Sequence, residues 1–133
     1  MVNSFFDIYE VIDFGQTAWG ATSADFNDDG DIDFAVTSAT APFTQSKISI
    51  FYNDGNLGFT QDDVFTFSYS YISDLDSGDY DNDGDIDLMF TYSETEGSGG
   101  GKTNGTVNLL LNDGENNFGN HIMIVKHVET HLQ

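Results

Sequence analysis

The chain has 133 residues, with 23 acidic residues against three lysines (Lys47, Lys102, Lys126), a net charge of -20 at pH 7 and no cysteine. That length is typical of one domain, and 38% hydrophobic with 14% aromatic residues supplies a core, which excludes wholesale disorder. The charge excludes nucleic acid as a partner, no apolar run is long enough for membrane insertion, and the missing cysteines exclude disulfides and thiol chemistry.

The N-terminal stretch MVNSFFDIYE has neither the basic start nor the apolar core of a signal peptide. Residues 4–14, containing FFDIYEVIDF, read as an extra outer strand. A first strand is expected over Ala18–Ala24, followed by the acidic segment DFNDDGDIDFAV from Asp25. Its last residues alternate apolar and polar and are rich in strand formers, so a second strand covers Ile32–Thr37. A third covers Lys47–Tyr52 and runs into Asn53-Asp54-Gly55, a hairpin signal. A fourth covers Thr60–Phe67.

The series then recurs. A strand over Ile72–Gly78 leads into DYDNDGDIDLMF, whose Asp79 lies 54 residues after Asp25. Strands over Ile86–Tyr92, Val107–Leu111 and His121–Val128 follow, with a second turn at Asn112-Asp113-Gly114 and a glycine-rich insertion at Gly97–Gly101. A repeat of this length signals a solenoid, an array or a propeller. No segment sustains a helical period.

Each acidic segment holds five aspartates in nine residues. In the first, Asp25, Asn27 and Asp29 take positions 1, 3 and 5, Gly30 takes 6, and Asp31 and Asp33 take 7 and 9. Asp79, Asp81, Asp83, Gly84, Asp85 and Asp87 repeat the pattern. Positions 1, 3 and 5 converge, glycine permits the sharp bend, position 7 offers its backbone carbonyl, and position 9 closes an all-oxygen cage. That cage suits Ca²⁺, two per chain, and not zinc. An EF-hand needs a bidentate Glu at position 12, where Val36 and Phe90 stand, and it leads into a helix rather than a strand. The competing reading is an aspartate-rich turn that binds nothing; recurrence at the same ligand positions favours the cation. The second loop has four side-chain carboxylates where the first has three and an amide, so it is expected to bind more tightly.

Loop, strand and NDG turn in this order resemble the FG-GAP/VCBS repeat, which is also found in the head of integrin α subunits. Phe14-Gly15 matches the FG element of the first unit, whereas Ser68-Tyr69 stands there in the second and Thr37-Ser38-Ala39 replaces a Gly-Ala-Pro element. The resemblance implies an all-β protein made of β-propeller blades. Two four-stranded antiparallel blades are expected, at residues 15–67 with calcium loop 25–33 and at 68–128 with calcium loop 79–87, within one repeat domain of residues 1–133. Propellers close with about 4–8 blades, so the expectation is a homo-oligomer of three or four chains closing a ring, or a chain that is part of a longer one.

By the same resemblance, ligands meet the face away from the calcium loops, where Trp19, Tyr69 and Tyr71 are the candidates for a protein or glycan ligand. The functional expectation is a calcium-stabilised β-propeller module for binding, adhesion or assembly, placed outside the cell, where weak calcium sites are common. A lectin-like carbohydrate binder and an accessory domain of a polysaccharide-acting enzyme are the alternatives. The chain itself offers no catalytic set: ten of the 23 acids sit in the two repeated loops, no distinctive extra pair stands out beyond Asp74 and Asp76, and His121, His127 and His131 cluster near the end.

Overall fold

The computed structural model describes residues 11–13, 15–40, 44–68, 70–94 and 105–126. Among the described residues eight strands appear: β1 (Thr17–Ala24), β2 (Asp33–Ala39), β3 (Gln45–Asn53), β4 (Phe59–Ser68), β5 (Ser70–Gly78), β6 (Asp87–Glu94), β7 (Gly105–Asn112) and β8 (Phe118–Lys126). No helix among the described residues is long and apolar enough to cross a membrane. The strands form two antiparallel sheets, ordered β1-β2-β3-β4 and β5-β6-β7-β8.

Central strands β2 and β3 are buried along most of their length, as their apolar runs require. Alternation sorts their side chains. Ala35 pairs with Ile50, and Thr37 with Ile48, on the face toward the second sheet; Phe34 pairs with Phe51 on the other. In the second sheet, Leu88 pairs with Leu110 and Phe90 with Asn108 on the face toward the first. One core results, built from Ala35, Ile48 and Ile50 on one side and Ile72, Leu88, Phe90 and Leu110 on the other. Phe65 and Phe67 of β4 reach across to Phe90, and Phe67 lies 4.4 Å from Tyr92 between ring centroids. The edge strands β1 and β5 carry matching bulges, between Ala18 and Gly20 and between Ile72 and Asp74.

Two hydroxyl pairs join the sheets: Thr22 Oγ1 to Ser77 Oγ and Ser46 Oγ to Ser70 Oγ, both at 2.8 Å. Gly20 lies at this contact: a Cβ there would stand at ordinary contact distance, 3.5 Å, from the Leu75 nitrogen and the Ser73 oxygen, and 3.3 Å from Thr37 Oγ1.

These sheets correct the expected architecture. They are two separate four-stranded sheets, neither closed nor curled, and they do not form a β-propeller. The ring-closing, integrin-like and oligomeric readings, and with them the lectin-like propeller, rested on that arrangement and fall with it. The physical reason is that the repeat encodes a sheet and its loop, not how many sheets stack. Where β1 places Gly20 and Thr22 beside β5, the second sheet has Asp74 and Asp76, and burying two carboxylates against another sheet is costly. The extra outer strand expected over residues 4–14 lies almost wholly outside the described residues, as do Tyr69, His127 and His131.

Candidate metal centre

The acidic loops connect β1 to β2 and β5 to β6. In the first, Asp25 accepts from the backbone N–H groups of Asp29 (3.1 Å) and Gly30 (2.8 Å), Asn27 Oδ1 from Asp29, and Asp29 from Asp31. In the second, Asp79, Asp81 and Asp83 repeat every one of these bonds toward Asp83, Gly84 and Asp85. The side chains thus fold the loop around themselves. Gly30 and Gly84 take φ of 93° and 100° at position 6. Position 4 is also left-handed, with φ of 58° at Asp28 and 61° at Asn82, a region that Asp and Asn tolerate better than most residues. Position 4 lies outside the expected ligand set, and its role is conformational.

Position 9 anchors the loop. Asp33 and Asp87 are fully buried first residues of β2 and β6. Asp33 accepts from the backbone N–H of Phe26 (2.9 Å) and Asn53 (2.8 Å). Asp87 accepts from Tyr80 (2.8 Å) and Asn112 (2.9 Å). Each carboxylate ties its loop to the turn ending the third strand of its sheet. Carboxylate oxygens accept more than one bond, so this anchoring leaves capacity for a cation.

Asp79, Asp81 and Asp87 bring one carboxylate oxygen each within 4.8 Å of one another. This cluster is fit to hold a divalent cation. In the first loop Asn27 stands where the second has Asp81, so the same trio of carboxylates is not assembled there. A polar cleft of about 290 Å³ opens beside the cluster, lined by Asp81, Asp83, Asp113 and Asn117 among others.

Crowding shows in the acidities. Lost hydration, then the neighbouring Asp83, pushes the Asp81 carboxyl above its ordinary range, and lost hydration with Asp83 does the same to Asp85. Burial raises Asp33, against the two N–H donors that lower it. A cation beside these groups favours their charged forms.

Position 7 meets the neighbouring turn. A Cβ at Gly55 would stand 2.7 Å from Asp31 Oδ2, and one at Gly114 would stand 2.6 Å from Asp85 Oδ2. Both turn glycines have positive φ, 74° and 79°. Each turn spans five residues and is held by its own aspartate: Asp54 accepts from Asn56 and Gly58, and Asp113 from Glu115 and Asn117.

Sequence reasoning also missed position 2. Phe26 is 2% exposed and packs edge-on against Phe118 of the second sheet, with centroids 6.0 Å apart. An aromatic residue between two ligand positions was the available signal. Of the expected ligand-face residues, Trp19 is 43% exposed and stands edge-on to Tyr71 at 5.2 Å.

Fold and loop together define an all-β module with an acidic cluster fit to hold a divalent cation. Residues 25–90 match the FG-GAP-like repeat family. No curated protein and no solved structure matches the chain.

Proposed function

We propose that the chain is a calcium-stabilised structural repeat module, with one Ca²⁺ in each acidic loop and the ion serving folding rather than catalysis. The observation that carries this reading is the trio Asp79, Asp81 and Asp87, built on a hydrogen-bonded loop that the first repeat copies bond for bond. Asp79, Asp81, Asp83 and Asp87, with the backbone carbonyl of Asp85, supply the oxygens of the second site. Asp25, Asn27, Asp29 and Asp33, with the carbonyl of Asp31, supply the first, the Asn27 amide oxygen replacing a carboxylate. Hard oxygen donors in a flexible loop suit Ca²⁺ over Mg²⁺, which holds to octahedral geometry and keeps its waters.

Position 9 makes the ion structural. A cation held by Asp87 is coupled through that same carboxylate to the Asn112 and Tyr80 backbone, so its binding energy adds to folding energy. Sites of this kind fill at the calcium concentrations outside cells, which supports an extracellular setting. Isothermal titration of chelator-treated protein tests the reading. Two calcium equivalents are expected, the tighter lost in Asp81→Ala and the weaker strengthened in Asn27→Asp; absence of binding at millimolar calcium overturns it.

A further inference from the structure

The internal repeat lets each face of the second sheet be compared with its counterpart in the first. β5 packs against β1, β2 and β3 of the first sheet, over a surface that includes Gly20, Thr22, Ala35, Thr37 and Ile48. Repeat counterparts of those residues are Asp74, Asp76, Met89, Thr91 and Val107. Leu88 and Phe90 belong to the shared core, so the alternating Met89 and Thr91 face away from it. There the five counterparts line a groove of about 260 Å³. Asp74 and Asp76 are exposed, while Met89, Thr91 and Val107 are half-buried.

The groove therefore occupies the place that seats an extended strand in the first sheet, but two small neutral residues are replaced by carboxylates. Both carboxylates lie outside the cation loops. Its volume lies below the roughly 300–1,000 Å³ usual for small-molecule pockets, a size for one or two side chains. Met89 and Val107 give it an apolar floor, and Asp74 and Asp76 give it an anionic rim. Among the described side chains the one lysine, Lys47, is already paired with Asp63 at 2.8 Å. No basic side chain among the described ones is paired with this rim.

We propose that the groove over β5, β6 and β7 docks an extended segment of a partner protein that alternates aliphatic and basic side chains. The aliphatic groups fill the floor and the basic groups meet Asp74 and Asp76. Extended-peptide recognition of this kind takes specificity from alternate side chains, and charge complementarity rejects acidic segments, including those of this chain.

The test uses the full chain in excess calcium and a fluorescein-labelled peptide of alternating valine and lysine, read by anisotropy. Saturable binding is expected, weakened at least tenfold in Asp74→Asn/Asp76→Asn with the melting temperature held. The control Asp62→Asn/Glu115→Gln, which removes the same formal charge from exposed turn and edge positions, is expected to change it less than twofold. Equal weakening by both pairs reduces the effect to bulk charge and overturns the proposal. So does equal affinity for an all-lysine peptide, or a lack of saturation. Self-association of the free chain that Asp74→Asn/Asp76→Asn abolishes, measured by sedimentation, would assign the face to a second copy and overturn it as well. Calcium titration of the same samples reports separately on the loops.

Discussion

The Asn112 side-chain amide donates to the Phe26 carbonyl oxygen at 2.8 Å, joining the second sheet to the acidic loop of the first. Its counterpart Asn53 reaches only the Ile32 carbonyl, at 3.2 Å, whereas Asn112 also reaches Ile86 at 3.2 Å. Asn112 is 2% exposed. Asn112→Ala leaves a buried carbonyl without its donor and is expected to destabilise the fold by about 2–3 kcal/mol. Asn53→Ala should lose less than half as much. Urea denaturation of the two variants reads the difference.

Removing the cation is expected to lower the melting temperature. The effect follows mass action: calcium at about 100 times its dissociation constant adds about 2.7 kcal/mol of stability. Differential scanning calorimetry with and without chelator measures it. Asp83→Ala should reduce the calcium-dependent part of the shift and leave a first-loop contribution that Asp29→Ala removes.

Gly114→Ala is expected to destabilise by more than about 1 kcal/mol, since it combines a left-handed backbone with a methyl placed against the Asp85 carboxylate. Gly84→Ala has the same backbone strain, at φ 100°, with open space around the Cβ. Comparing them by chemical denaturation separates contact from strain. Gly114→Ala should also weaken calcium binding, because the displaced Asp85 moves the loop.

Leu57 takes φ of 70° at the place where the second turn has Asn116, at 64°. A branched apolar residue in this region carries strain, and Leu57 is 66% exposed, so little packing opposes the change. Leu57→Asn is expected to stabilise by about 0.5–1 kcal/mol, seen as a raised urea midpoint.

The acidities fix a sign for pH dependence without cation. Asp33, Asp81 and Asp85 hold their protons more tightly when folded than unfolded. Their effect on stability is therefore most favourable below the ordinary carboxylate value of 3.8 and declines as pH rises through their raised folded values. Asp63, with the Lys47, Ser49 and Gln61 side chains bonded to it, is lowered and acts in the opposite sense, losing its contribution as pH falls. Chelator-treated protein should gain stability from these three groups as pH falls through their raised folded values toward 3.8, and calcium-loaded protein should lose it, since protons compete with the ion. Melting curves across that range, with and without calcium, test the crossing trends.

Strand identities were readable from the sequence because period-two alternation and turn residues are local signals. Expected starts at Ile32 and Ile86 moved by one residue, to Asp33 and Asp87, because the ninth loop aspartate pairs into the sheet while anchoring the loop. β8 begins at Phe118, not His121, because Phe118 fills the core below Phe26. The convergence of Asp79, Asp81 and Asp87 was readable from spacing. The inserted Phe26 was not, because its partner Phe118 is 92 residues away in sequence. The propeller expectation failed for the same reason of range. Sheet stacking is decided between distant faces, where Asp74 and Asp76 break the repeat.

β4 ends at Ser68 and β5 begins at Ser70, so a single residue tethers one sheet to the other. So short a link holds the two faces at a high effective concentration, a benefit that falls as a linker lengthens. Lengthening it with glycines would leave every strand pairing intact and turn sheet docking into a separable, measurable equilibrium.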